Sequence, residues 1–79
     1  MIEAGKTYTA RKPWVYNYEI KVTEYKGDAL KINVFNHQFD SHDYAFIKKN
    51  NQTLEGLYSY SSVAVDYVKH ALIAAKVFD

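Results

Sequence analysis

The chain has 79 residues, a formal net charge of +1 from ten Lys and Arg against nine Asp and Glu, 16% aromatic residues and no cysteine. That length holds one domain with one core, and the lack of cysteine excludes disulfides, zinc ribbons and thiol nucleophiles. Near-balanced charge argues against a dedicated duplex-DNA binder, which carries a strongly basic face.

The opening residues, Met1 to Trp14, contain no apolar run of the secretory type. The longest apolar stretch, Ala71 to Ala75, is far too short to span a bilayer. A cytoplasmic protein with no membrane partner is expected.

In chain order, Lys6 to Ala10 reads as a weak strand. From Trp14 to Tyr25 the chain alternates strongly. Trp14, Tyr16, Tyr18, Ile20 and Val22 fall on one side, and Asn17, Glu19, Lys21 and Thr23 on the other. Side chains alternate across a strand, so this predicts a long strand with one buried face, beginning just after Pro13. Lys26 to Asp28 reads as a turn, with Gly27 able to supply a positive φ. Leu30, Ile32 and Val34 then point inward from a second strand, completing an antiparallel hairpin. Tyr44 to Lys49 is a third strand candidate, Lys49 to Gln52 a polar turn, and Glu55 to Tyr60 either a short strand or a loop.

The last segment changes to a helical period over roughly Ser62 to Val77, with Ser61 or Ser59 as the N-cap. At about 100° per residue, Ala64, Val65, Tyr67, Val68, Ala71, Leu72 and Ala75 form one face. Asp66, Lys69, His70 and Lys76 lie opposite. Ile73 sits among these polar residues and Val77 at their edge, a pair available for contact.

The expected fold is α+β. It is an antiparallel meander of about three to five strands, strand-rich over residues 6–60, with one C-terminal helix over about 62–77 packed on it. The alternative is a small SH3-like curled barrel with the helix appended.

The stretch NHQFDSHDY gathers His37, Asp40, His42 and Asp43, side chains suited to metal ligation or acid–base chemistry. Its spacing matches neither the H-E-x-x-H helix nor the EF-hand loop. A solvated turn between strands accounts for it, with Asp40 or Ser41 bonding local N–H groups and Phe39 tucked into the core. Because histidine changes charge between about pH 5 and 8, a mobile, pH-sensitive connection is expected there. Ser41 lies between Asp40 and His42, but a nucleophile and its base must converge from different directions. There is no Gly-rich phosphate loop. The chain is expected not to be an enzyme and to need no cofactor or metal.

Two binding readings remain. Arg11 and Lys12 beside Trp14 and Tyr16, with Lys48 and Lys49 further on, combine cations for phosphates with rings for unpaired bases, as single-stranded nucleic acid requires. Against this, Trp14 and Tyr16 continue the core period of Ile20 and Val22. The leading expectation is a small interaction protein that binds and modulates or inhibits a larger protein partner. Tyr25, Tyr58 and Tyr60 lie off the core periods, and tyrosine is enriched at interfaces; with Ile73 and Val77 they make the candidate contact set. Self-association through a sheet edge or the helix pair is the other use of such a surface. In size and lack of cysteine the chain resembles the short accessory proteins of bacteriophages, which implies an anti-defence or host-takeover role but carries no residues over.

Overall fold

A computed structural model describes residues 1–78. Strands β1 (Thr7–Lys12), β2 (Tyr16–Glu24), β3 (Ala29–Asn36) and β4 (Ser41–Lys48) form one antiparallel sheet in the order β1-β2-β3-β4. A 3₁₀ turn at Leu54–Gly56 leads into helix α1 (Ser62–Ala74), which packs across one face. This is the expected meander with a C-terminal helix. The edge strands β1 and β4 do not pair with each other, so the sheet stays open and no barrel forms.

The central hairpin follows the alternation. Ile20 lies opposite Val34, and Val22 opposite Ile32. Ile47 lies opposite Leu30, and Ala45 opposite Ile32. These side chains share the inner face and meet Val68, Ala71 and Leu72 of α1 in one buried cluster. Small residues at Ala64 and Ala71, both buried, let the helix approach the sheet closely. Gly27, at φ 69°, takes the left-handed conformation that the β2–β3 turn requires and that glycine adopts without steric cost.

The helix starts as expected, with Ser61 Oγ accepting the Ala64 N–H at 3.4 Å. It ends at Ala74 rather than near Val77. Lys76 takes φ 59°, and the Val77 N–H bonds back to the Leu72 carbonyl at 3.1 Å. This is the six-to-one bond of a Schellman end, with lysine in the place glycine usually holds. Val77 is thereby folded back against the core.

Two expectations about packing are corrected, and one core residue is added. Trp14 does not belong to the core face: it is 98% exposed, and β2 begins two residues later. The Val15 N–H bonds to the Lys12 carbonyl at 2.9 Å, closing a turn with Pro13 second and Trp14 third at φ 66°. That is the type II pattern, and it reverses the chain where simple alternation would run on. Phe39 is also in solvent, at 73% exposure, because it sits at the tip of the β3–β4 turn. Ile2, which no periodicity marked, is fully buried; its N–H bonds to Gln52 Oε1 at 3.0 Å.

Candidate functional site

The NHQFDSHDY stretch resolves into parts of two strands and a four-residue turn. Asn36 ends β3, Ser41 opens β4, and Asp40 turns the chain at φ 52°. The local side-chain bond comes from Asn36 rather than from Asp40 or Ser41: Asn36 Oδ1 accepts the Gln38 N–H at 2.9 Å. Strand register then separates the chemistry. His42 lies opposite Phe35 and Asp43 opposite Val34, so the two occupy opposite faces of the sheet. His37 Nε2 sits 3.1 Å from Glu19 Oε2, and both His37 and His42 rings lie against Phe35. Among the described residues no three metal-ligating side chains converge.

His70 is drawn to the sheet from its polar side of the helix. Its Nδ1 lies 3.1 Å from Tyr18 Oη, and its ring meets the Tyr16 and Tyr18 rings edge-on. Burial pushes the Tyr18 phenol above its ordinary pKa. Tyr67 is raised in the same way, chiefly by burial, with Asn36 and Ser41 close enough to pull it partly back, although its buried hydroxyl makes no well-formed hydrogen bond. These groups tie helix to sheet.

Two surfaces stay open. The first is on the outer face, away from α1. Phe46 projects there because its neighbours Ala45 and Ile47 point inward. Gly56 makes the next step possible: any side chain there would meet the Asn51 carbonyl at 2.9 Å, so only glycine fits the tight 3₁₀ turn. The turn delivers Tyr58 alongside β4, where Phe46 and Tyr58 exchange backbone hydrogen bonds of 2.9 and 3.0 Å. Leu57 goes into the core and Tyr58 goes outward. The Tyr58 ring stacks on Phe46 at 5.4 Å between centroids, and Tyr25 approaches Phe46 at 4.6 Å. Tyr25, Phe46, Tyr58, Ser59 and Tyr60 line an open depression of about 300 Å³. Tyr44 flanks Phe46, with the Lys31 ammonium 4.9 Å from its ring centroid.

The structure therefore brings together Tyr25, Tyr58 and Tyr60, which come from three separate segments. It does not join them to Ile73 or Val77, which lie on the helix side of the sheet. Ile73 is half-exposed, whereas Val77 packs on the core. Phe46 and Tyr44 complete the patch and were missed as contact residues. The signal was present: with Ala45 and Ile47 inward, both rings must point outward, and a buried outward ring needs neighbours.

The second open surface is a cleft of about 400 Å³ at the end of the sheet where the β1–β2 and β3–β4 turns lie side by side. Arg11, Lys12, Trp14, Tyr16, Asn17, His37 and Gln38 are among its lining residues. Four residues of the nucleic-acid set thus share one cleft. Lys48 and Lys49 lie at the other end, where Lys48 pairs with Ala29 across the ladder and Lys49 Nζ contacts Glu24 Oε1 at 3.1 Å.

Comparison with known proteins found no matching family model, no matching curated protein and no matching solved structure. Among the described residues no helix is long and apolar enough to cross a membrane.

Proposed function

We propose that this chain is a non-enzymatic interaction protein that docks on a larger protein partner through the tyrosine-lined depression on its outer sheet face and modulates that partner. The observation that carries the reading is the convergence of Tyr25, Tyr58 and Tyr60 around Phe46 in one open depression. Such rings offer large contact area at small entropic cost, and buried aromatic anchors dominate the energetics of protein interfaces. A protein occupant suits the lining, which is aromatic and hydroxyl-bearing and carries no charged side chain. The cores of protein interfaces are depleted of charge and rich in tyrosine. Inhibition of a host factor, in the manner of the bacteriophage accessory proteins that the chain resembles, is the form of modulation proposed.

The experiment is affinity capture from the natural host with and without nuclease, run beside the Tyr58→Ala/Tyr60→Ala double variant. The expected result is a protein partner that survives nuclease and is recovered at least roughly tenfold less by the variant, as loss of interface anchors implies. Equal recovery by both forms, or recovery only of nuclease-sensitive material, overturns the reading.

A further inference from the structure

We propose that the cleft beside the Trp14 turn binds single-stranded nucleic acid, with an unpaired base stacked on the Trp14 indole and backbone phosphates held by Arg11 and Lys12. The inference does not rest on the tyrosine-face reading, since the two surfaces lie at opposite ends of the sheet.

Trp14 carries two costs that the fold does not recover. It holds φ 66°, in the left-handed region that a bulky side chain rarely enters. It also leaves the chain's one indole 98% exposed. Glycine or asparagine would make the same type II turn without strain. A large flat ring displayed on a tight, Pro-braced turn is a stacking surface fixed in advance.

The charges point the same way. Lys6, Lys21, His37 and Lys49 each face a carboxylate. Arg11 and Lys12 are among the seven of ten Lys and Arg side chains that face none among the described residues, and they are the two that line the cleft, which no carboxylate lines. Glu19 touches the lining residue His37 and also pairs with Lys21. A local excess of two free cations therefore sits beside the exposed ring in a chain whose total charge is only +1. That combination fits a polyanion with accessible planar faces. The Asn17 and Gln38 amides also line the cleft, and amides offer paired donors and acceptors to base edges. A single strand is favoured over a duplex because stacking requires a base already out of its helix, and two cations are few for duplex binding. It is favoured over a lipid surface because Asn17, His37 and Gln38 share the lining with Pro13, Trp14, Val15 and Tyr16, and a bilayer would leave those polar groups without partners.

The test uses the full chain and its own fluorophore. Trp14 is the one tryptophan, so its emission reports this cleft alone. Oligo-dT and oligo-U of about ten nucleotides, within the site sizes of single-strand binders, are titrated in parallel with vesicles of phosphatidylcholine and phosphatidylserine. The expected result is saturable quenching by the oligonucleotides. The affinity should fall with salt at a log–log slope of about −1.4, for two phosphate contacts on a single strand. By anisotropy of a labelled strand, Trp14→Ala should weaken binding about 5- to 150-fold, the range for one stacked base, while Trp14→Phe retains most of it. Arg11→Ala/Lys12→Ala should bring the salt slope toward zero. Tyr58→Ala/Tyr60→Ala should leave the quenching unchanged, which separates this site from the tyrosine face. Since Trp14 is in solvent, its substitution does not threaten the fold. Absence of quenching at millimolar strand, or binding indifferent to salt, overturns the proposal. So does a blue shift with the vesicles and no response to the strands, which would assign the turn to a lipid surface.

Discussion

Tyr18 Oη and His70 Nδ1 lie 3.1 Å apart, joining β2 to α1 across most of the chain length. Tyr18 is buried while His70 is at the rim. The bond therefore fixes the helix from its polar side, beyond what the apolar face does alone.

Removing this bond should cost about 0.5–1.5 kcal/mol, the usual net value of one hydrogen bond. Tyr18→Phe and His70→Ala should each lower the urea midpoint, and the double variant should lose less than the sum of the two. Strict additivity would show that the pair contributes nothing as a pair.

Alkaline pH should destabilise the fold through Tyr18 and Tyr67. Burial raises both phenols above the ordinary value near 10. Above about pH 10 the unfolded chain loses these protons first, so the native state binds more protons than the unfolded one. Their contribution is complete below about pH 10 and is lost as pH rises through the higher native values. Tyr67→Phe should change stability at pH 7 by no more than about 1 kcal/mol, because the buried hydroxyl makes no well-formed hydrogen bond and only loose ones to Asn36 and Ser41 are lost. The same variant should show a shallower loss of stability above pH 10 in denaturant melts.

Adjacent helix residues should differ sharply. Leu72 is fully buried and Ile73 half-exposed. Leu72→Ala should cost about 2–5 kcal/mol, as buried leucines do, a large share of the 5–15 kcal/mol typical of a domain. Ile73→Ala should stay within about 0.5 kcal/mol. Chemical denaturation of the two variants side by side checks the helix rotation directly.

Trp14→Gly should raise stability by up to about 1 kcal/mol. An L-residue in the left-handed region costs roughly 1–2 kcal/mol, and part of the gain is offset by the greater unfolded-state freedom of glycine. The Trp14 side chain is almost wholly in solvent, so little packing is lost. Circular dichroism melts, which need no tryptophan, make the measurement. A lower melting temperature would mean that the indole supports the turn.

Zinc or manganese should leave the melting temperature unchanged. A native-state ligand must raise it, and the β3–β4 register puts Asp43 on the opposite face from His42, so no three ligands converge among the described residues. A rise of several degrees would show that the turn can regroup around a cation.

Much of the fold is local and was legible. The alternation of Tyr18, Ile20 and Val22 against Leu30, Ile32 and Val34 fixes the inner face of the central hairpin. The 3.6-residue period fixes the inward side of α1, and Ser61 marks its start. Those patterns depend on successive side chains along one segment. The misread positions are where the chain changes direction. Period two ran through Pro13 and Trp14, yet the turn there puts the indole in solvent; the rule that glycine takes such positions concealed it. Lys76 concealed the helix end for the same reason. Phe39 read as core because it is apolar, although a four-residue turn leaves its tip no core to reach.

The composition and periodicity alone determined an open question about surplus tyrosines and a basic aromatic run. Tertiary structure decided which of them meet. Tyr25, Tyr58 and Tyr60 converge because the β2–β3 turn, strand β4 and the Gly56 turn end at one corner of the outer face. Lys48 and Lys49 part from Arg11 and Lys12 because a meander sends alternate turns to opposite ends. Convergence depends on register and on chain reversals between distant segments, and neither is encoded in the spacing of residues within any one of them.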